Sequence, residues 1–197
     1  MPFEIEGHGW ELHVKRIGLQ SHHRSRVRTY GSYQVFLQGQ PILELFGHIC
    51  ECTGPGDNTK NGKKHHLRVE KGRYPLSTQF GERYRSVGFT KTTDHPLPGF
   101  LLLETEVREA ILVHPAHPPN LYLSSIGCFN PTLPLTANQD MDFDDSRPRV
   151  IAMIESLKRH DPDAFATKIG HNTRIVNAFA VVSGEPMMPA EDAPVVG

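Results

Sequence analysis

Thr29-Tyr-Gly-Ser-Tyr33-Gln-Val35-Phe-Leu37-Gln-Gly-Gln-Pro41-Ile-Leu-Glu-Leu-Phe46-Gly-His-Ile-Cys-Glu-Cys52 reads as strand, turn and strand. Tyr33, Val35 and Leu37 fall on alternate positions, as on one face of a pleated strand. Gln38-Gly-Gln-Pro41 breaks the run with turn residues, and Ile42 to Cys52 resumes the β character. The same grammar extends to both sides. Trp10-Glu-Leu12-His-Val14-Lys alternates as a half-buried strand, while Ser21 to Arg28 reads as a polar, solvated stretch. Thr53 to Gly62 is a long surface loop by composition. Leu67–Val69 with Gly72–Thr78, then Ser86–Phe89, Phe100–Thr105 and Ala110–His114, are further strand candidates.

One helix is expected near 147–160. Asp145 or Ser146 can cap it, Pro148 falls in its first turn, and Val150, Ile151, Ile154 and Leu157 recur at helical spacing. Asn172–Val182 reads as a last strand. The expectation is a predominantly β fold, β-rich with one or two helices. It forms a single domain over 1–183, with a core at about 29–132, a C-terminal helix–strand extension, and a flexible tail at 184–197.

Composition narrows the function classes. The chain has 197 residues, 3 cysteines, 17 glycines and 16 prolines. Three cysteines cannot form a disulfide scaffold. Lys+Arg number 21 against 22 Asp+Glu, a net charge of -1. That balance gives no footprint for nucleic acid. No apolar run is long enough to span a bilayer. The start, Met1 to Trp10, carries acidic residues and no apolar core, so the chain is expected to be made in the cytoplasm without a secretory signal.

The chemistry concentrates in Ala110-Ile-Leu-Val-His114-Pro-Ala-His117-Pro-Pro-Asn-Leu-Tyr-Leu-Ser124-Ser125-Ile-Gly127-Cys128-Phe-Asn130. An apolar strand ends in a histidine, and a proline-rich loop returns to Gly-Cys. Such a loop can set His114 beside Cys128 at adjacent strand ends, which is what a Cys–His nucleophilic pair needs. Gly127 lets backbone approach a substrate, and the N–H of Cys128 with a neighbour could face an oxyanion. Ser125 serves either a substrate carboxylate or the turn before Gly127. His117 lies in the proline loop, as a contributor or as a solvated side chain. Asn130 is a candidate for orienting a loop or for substrate contact. A bland alternative gives Cys128 as a small buried residue. No metal is assigned, because the prolines around His114 and His117 prevent the helix on which paired zinc histidines sit. Cys50 and Cys52 read as strand cysteines. Arg73, Arg83, Arg85 and Arg108 flank the expected cleft, where a guanidinium would suit a carboxylate.

Ser125-Ile-Gly127-Cys128-Phe-Asn130, preceded by His114, resembles the signature of L,D-transpeptidases of the YkuD type: a histidine, a gap, then Ser/Thr-His-Gly-Cys, a hydrophobic residue and Asn. Ile126 stands where that family has a second histidine, Pro115 replaces a frequent glycine, and the gap from His114 is short. Gly54–Thr59, Gly72–Leu76, Ile111–His114 and Ser125–Cys128 also resemble, in order, DUF5675-like domains of phage and bacterial genomes. The resemblance spans roughly 29–132 and leaves 133–197 uncovered.

It implies a YkuD-like β-sandwich or barrel with a catalytic cleft. Cys128 would be the nucleophile and His114 the base, with Ser125, Asn130, His117 and Arg108 toward the substrate and no cofactor. The substrate it implies is a peptidoglycan stem peptide, attacked at the carbonyl of a meso-diaminopimelate residue. D-alanine would leave, and the Cys thioester would pass to an amine or water. Some such domains are antibacterial effectors delivered to the periplasm of a target cell, with an immunity or export partner protein. The alternatives are a cysteine hydrolase of another amide or ester, motivated by the Ile126 departure, and a non-enzymatic phage or secretion-system binding module.

Overall fold

The computed structural model describes residues 4–22, 26–60, 67–166 and 170–186. Its frame is one eight-stranded sheet. The strands are β1 (Trp10–His22), β2 (Arg26–Leu37), β3 (Gln40–Glu51), β4 (Gly72–Thr78), β7 (Phe100–Leu102), β8 (Leu112–Val113), β9 (Asn130–Thr132) and β10 (Arg174–Ser183), in the order β8-β7-β4-β10-β1-β2-β3-β9. A parallel bridge between Val113 and Phe129 joins the two ends of that order. His114 N donates to Phe129 O (3.0 Å), and Phe129 N donates to Leu112 O (2.8 Å). The sheet thereby comes close to a closed barrel, which removes its exposed edges. Two further short strands, β5 (Tyr84–Arg85) and β6 (Leu97–Pro98), form a parallel ribbon of their own.

The hairpin of the opening stretch is present as expected. Leu37 pairs with Gln40 across Gln38-Gly39, and both turn residues take positive φ, 51° and 76°. That is the two-residue turn whose twist suits a hairpin, and glycine holds its second position without strain. Trp10, Leu12 and Val14 of β1 alternate into the core with Val35 of β2 and Ala178, Ala180 and Val182 of β10. β10, last in sequence, runs parallel to β1 in mid-sheet. The C-terminal strand is thus part of the barrel and not an addition to it.

Helix α1 (Phe143–His160) starts earlier than expected. Asp142 is the N-cap, accepting from Asp144 N, so neither Asp145 nor Ser146 has that role. Pro148 consequently lies inside the helix, beyond its first turn. Lys158, Arg159 and His160 in the last turn complement the helix dipole. Val150, Met153, Ile154 and Leu157 form the buried stripe, and Trp10 Nε1 donates to Ser156 Oγ (3.0 Å). A one-turn helix α2 (Pro162–Phe165) follows at once, capped by Asp161.

Three other expectations change. Of the stretch Ser21 to Arg28, Ser21 and His22 pair with Val27 and Arg26 between β1 and β2, Arg28 is fully buried, and residues 23–25 lie outside the described residues. Leu67–Val69 and Ser86–Phe89 are not strands; their buried side chains are held by loop contacts. At the C-terminus, Glu185 pairs with Arg68 (2.5 Å) and Arg16 (3.4 Å), while residues 187–197 of the expected tail lie outside the described residues. Among the described residues no helix is long and apolar enough to cross a membrane.

Candidate active site

The site sits on the seam where the barrel closes. β8 delivers His114 at its end, and the segment entering β9 delivers Cys128. Ser146 of α1 braces both flanks: its Oγ accepts from Ala116 N (2.9 Å) and donates to Pro131 O (2.5 Å). A cleft of about 1120 Å³ opens beside the seam, walled among others by Arg83, Tyr84, His114, Ser124, Ile126 and Cys128.

His114 is 1 % exposed, and its ring is tightly specified. Nδ1 lies 2.8 Å from Pro115 O. A carbonyl only accepts, so Nδ1 carries the proton and Nε2 holds the lone pair. Asn130 Nδ2 donates to His114 O (2.9 Å) and sits 3.3 Å from Nδ1. Burial lowers the imidazole pKa to about 3, further depressed by His117 and Arg83, with the Pro115 carbonyl acting against that shift. His114 is therefore neutral at pH 7, and its lone pair binds a proton more weakly than an ordinary imidazole does.

Cys128 is half-buried. Its Sγ accepts from Leu112 N (3.4 Å) and donates to Ala110 O (3.5 Å). Desolvation pushes the thiol up to about 11, opposed by the Leu112 N–H and by Arg108 and Arg83. The resting pair is thus thiol and neutral imidazole. No hydrogen bond joins Sγ to the His114 ring among the described residues. The reason is register. Val113 faces Phe129, which sets Cys128 against Leu112 and Asn130 against His114. Two residues of strand separate thiol and imidazole along the ladder, roughly 6–7 Å. The two residues share the cleft wall, two residues apart along the ladder, and are not the directly bonded neighbours that the sequence suggests.

The remaining candidates divide. Ser125 lines the cleft, and its Oγ donates to Cys128 O (2.7 Å), which favours the turn reading. Asn130 is fully buried and touches His114, not the cleft. His117 is 6 % exposed, so it is not solvated; Nδ1 donates to Pro118 O (2.9 Å) and Nε2 accepts from Tyr84 Oη (2.8 Å). Arg108 borders the cleft, but its guanidinium is held by the carbonyls of Asp57 (3.3 Å), Arg68 (3.0 Å) and Leu67 (2.6 Å). Gly127 has φ +109°, and a Cβ there would overlap Arg108 Nη2. Its lack of a side chain makes room for that arginine.

Of the other arginines, Arg83 stands exposed at the cleft, with Nη2 3.3 Å from His117 Nε2. Arg73 is turned away, paired to Glu11 (2.5 Å). Arg85 donates to Gly81 O (3.1 Å). Cys50 and Cys52 are free and buried, with thiols raised to about 11 and about 12 by desolvation. Among the described residues, no three His, Cys, Asp or Glu side chains gather as a metal cage.

Tyr84 is the site residue that sequence reasoning missed. Its ring lies over His114, centroids 4.3 Å apart and planes at 31°. Gly81-Glu-Arg-Tyr-Arg85 carries no periodic signal, and only the short β5–β6 ribbon brings Tyr84 to the seam. Comparison with protein-family models, with curated proteins and with solved structures gave no match.

Proposed function

We propose that the protein is a cysteine acyltransferase of L,D-transpeptidase type acting on peptidoglycan stem peptides, on a barrel of YkuD-like character. The observation that carries this reading is the pairing on one cleft wall of Cys128 with a buried, neutral His114 whose Nδ1 is tied to Pro115 O. That tie leaves Nε2 as the proton acceptor. The Ser-x-Gly-Cys-Phe-Asn string around Cys128 supplies the substrate class by resemblance.

In the proposed reaction, Cys128 Sγ attacks the carbonyl carbon of the diaminopimelate residue. The thiol proton passes to His114 Nε2 through one water across the register step. The carbonyl becomes an oxyanion. Its collapse breaks the bond to D-alanine, whose nitrogen takes the proton from His114. A thioester remains on Cys128. The amine of a second stem, or water, gives its proton to His114 and attacks the thioester, restoring the thiol. Arg83 at the cleft offers a guanidinium to a substrate carboxylate. An antibacterial role in a target cell's periplasm, with an immunity or export partner, belongs to the same proposal.

The test is mass spectrometry after incubation with tetrapeptide muropeptides. Wild type is expected to release D-alanine and to carry the acyl group on Cys128. C128S is expected to release none. A wild type that leaves D-alanine in place rejects the substrate. Selective labelling of Cys128 by a thiol probe would then direct the search to another amide or ester. Failure of that labelling would leave a binding module.

A further inference from the structure

The contact that the proposed chemistry leaves unused is Tyr84 against His114. One face of the imidazole is covered by the Tyr84 ring at 4.3 Å. Tyr84 is itself anchored. Its hydroxyl is 2.8 Å from His117 Nε2, and the Nδ1–H of His117 donates to Pro118 O. Nε2 therefore can only accept, and the Tyr84 O–H must point toward it. The peptide at Tyr84 is fixed by the ribbon pairing to Leu97. Each member of the chain Pro118 O, His117, Tyr84, His114 thus has its orientation set by the one before it.

We propose that Tyr84 is a positioning residue. Held at its tip by His117, it stacks on His114, fixes the plane of the imidazole and keeps water off that face, so that Nε2 is the nitrogen presented for proton transfer. This rests on the acyl-transfer reading for its catalytic consequence, but not for the contact itself. The groups facing His114 are Tyr84 and Arg83 of the ribbon side, His117 of the following loop, and Asn130 across the seam. Asn130 and Tyr84 are uncharged, and Arg83 and His117 disfavour a second charge. Solvent exclusion by the Tyr84 ring is therefore what Y84L removes.

The experiment is nitrogen-15 NMR of the histidine rings across pH, beside muropeptide kinetics, on wild type, Y84L and Y84F. Wild type should show His114 as the Nδ1–H tautomer and neutral through pH 5. In Y84L, His114 should protonate at a pH higher by about one unit or more, a tenfold change in proton affinity. kcat should fall by about tenfold with KM little changed, and its acid limb should move up with the titration. Y84F, which returns the ring, should recover the wild-type tautomer and titration.

A folded Y84L with His114 tautomer and titration unchanged overturns the proposal. Should Y84L not fold, Y84M, which also removes the aromatic ring but keeps a long apolar side chain, carries the test; an unchanged His114 tautomer and titration there overturns it too. Intact muropeptides with wild type would reject the acyl-transfer reading alone, because the NMR still decides the contact.

Discussion

The guanidinium of Arg108 fills the space into which a side chain at Gly127 would project, and Ile111 Cδ1 stands 3.2 Å from the same point. Since φ of Gly127 is +109°, an alanine there would be strained even in open space. Gly127→Ala should therefore cost about 2–4 kcal/mol, through backbone strain and displacement of Arg108 from its three carbonyls. Urea denaturation measures it. A G127A protein as stable as wild type would mean that Arg108 does not pack on the turn before Cys128.

His114 sets a pH dependence of stability. Its folded pKa, about 3, lies below the ordinary 6.5, so the unfolded chain binds the proton more readily. The contribution is fully present above pH 6.5 and is lost as pH falls from there toward 3. Between pH 7 and 4.5 the loss amounts to about 2–3 kcal/mol. Urea midpoints at the two pH values should show it, and His114→Gln should flatten the difference by that amount. An undiminished difference in H114Q would place the acid sensitivity elsewhere.

Arg16 and Glu51 form a buried pair, Nε to Oε1 at 2.6 Å and Nη2 to Oε2 at 2.9 Å, both side chains at most 2 % exposed. Replacing Glu51 leaves the buried Arg16 with only the longer contact to Glu185 (3.4 Å) and the carbonyl of Val69 (2.7 Å). Glu51→Ala should cost about 3–5 kcal/mol, and a double change of Arg16 and Glu51 to apolar residues should cost less than E51A alone. Denaturation of the three variants checks the order; a double variant weaker than E51A would contradict it.

Arg28 holds the loop that leads to Cys128. It donates to Gln20 Oε1 (2.9 Å), Tyr122 O (3.2 Å) and Thr136 O (3.2 Å), and its Cζ lies 4.2 Å from the Tyr122 ring centre. Lysine keeps the charge but not this fork. Arg28→Lys should destabilise by about 2 kcal/mol and speed amide exchange at 120–128 and 133–138 more than in β4. Uniform or unchanged exchange would show that the loop is held without Arg28.

What the sequence made legible was local. Alternation marked Trp10–Val14 and Tyr33–Leu37, and Gln38-Gly39 marked the hairpin turn, because period and turn chemistry are written in adjacent residues. The helix was visible from its apolar stripe. Its start is not legible because Asp142, Asp144, Asp145 and Ser146 are all acceptable caps; in the structure Asp142 accepts from Asp144 N, while Ser146 is turned to Ala116 and Pro131. Arg28 looked solvated because a buried guanidinium depends on carbonyls about a hundred residues away. The place of β10 beside β1 and the stacking of Tyr84 on His114 are likewise long-range pairings with no local mark. His114 and Cys128 could be named from their string. Their two-residue offset follows only from which residue faces which across the seam.

The Val113–Phe129 bridge joins segments that run in the same direction. A tight hairpin cannot make such a joint; a crossover of about a dozen residues or more is needed. Residues 115–127 are therefore the link that carries the chain back along the height of the barrel before the ring can shut. Cutting residues from that link would pull the ring open and part His114 from Cys128, whereas residues inserted at its exposed stretch, 118–120, would only enlarge a surface loop. The spacing between His114 and Cys128 thus has a floor set by geometry and no ceiling.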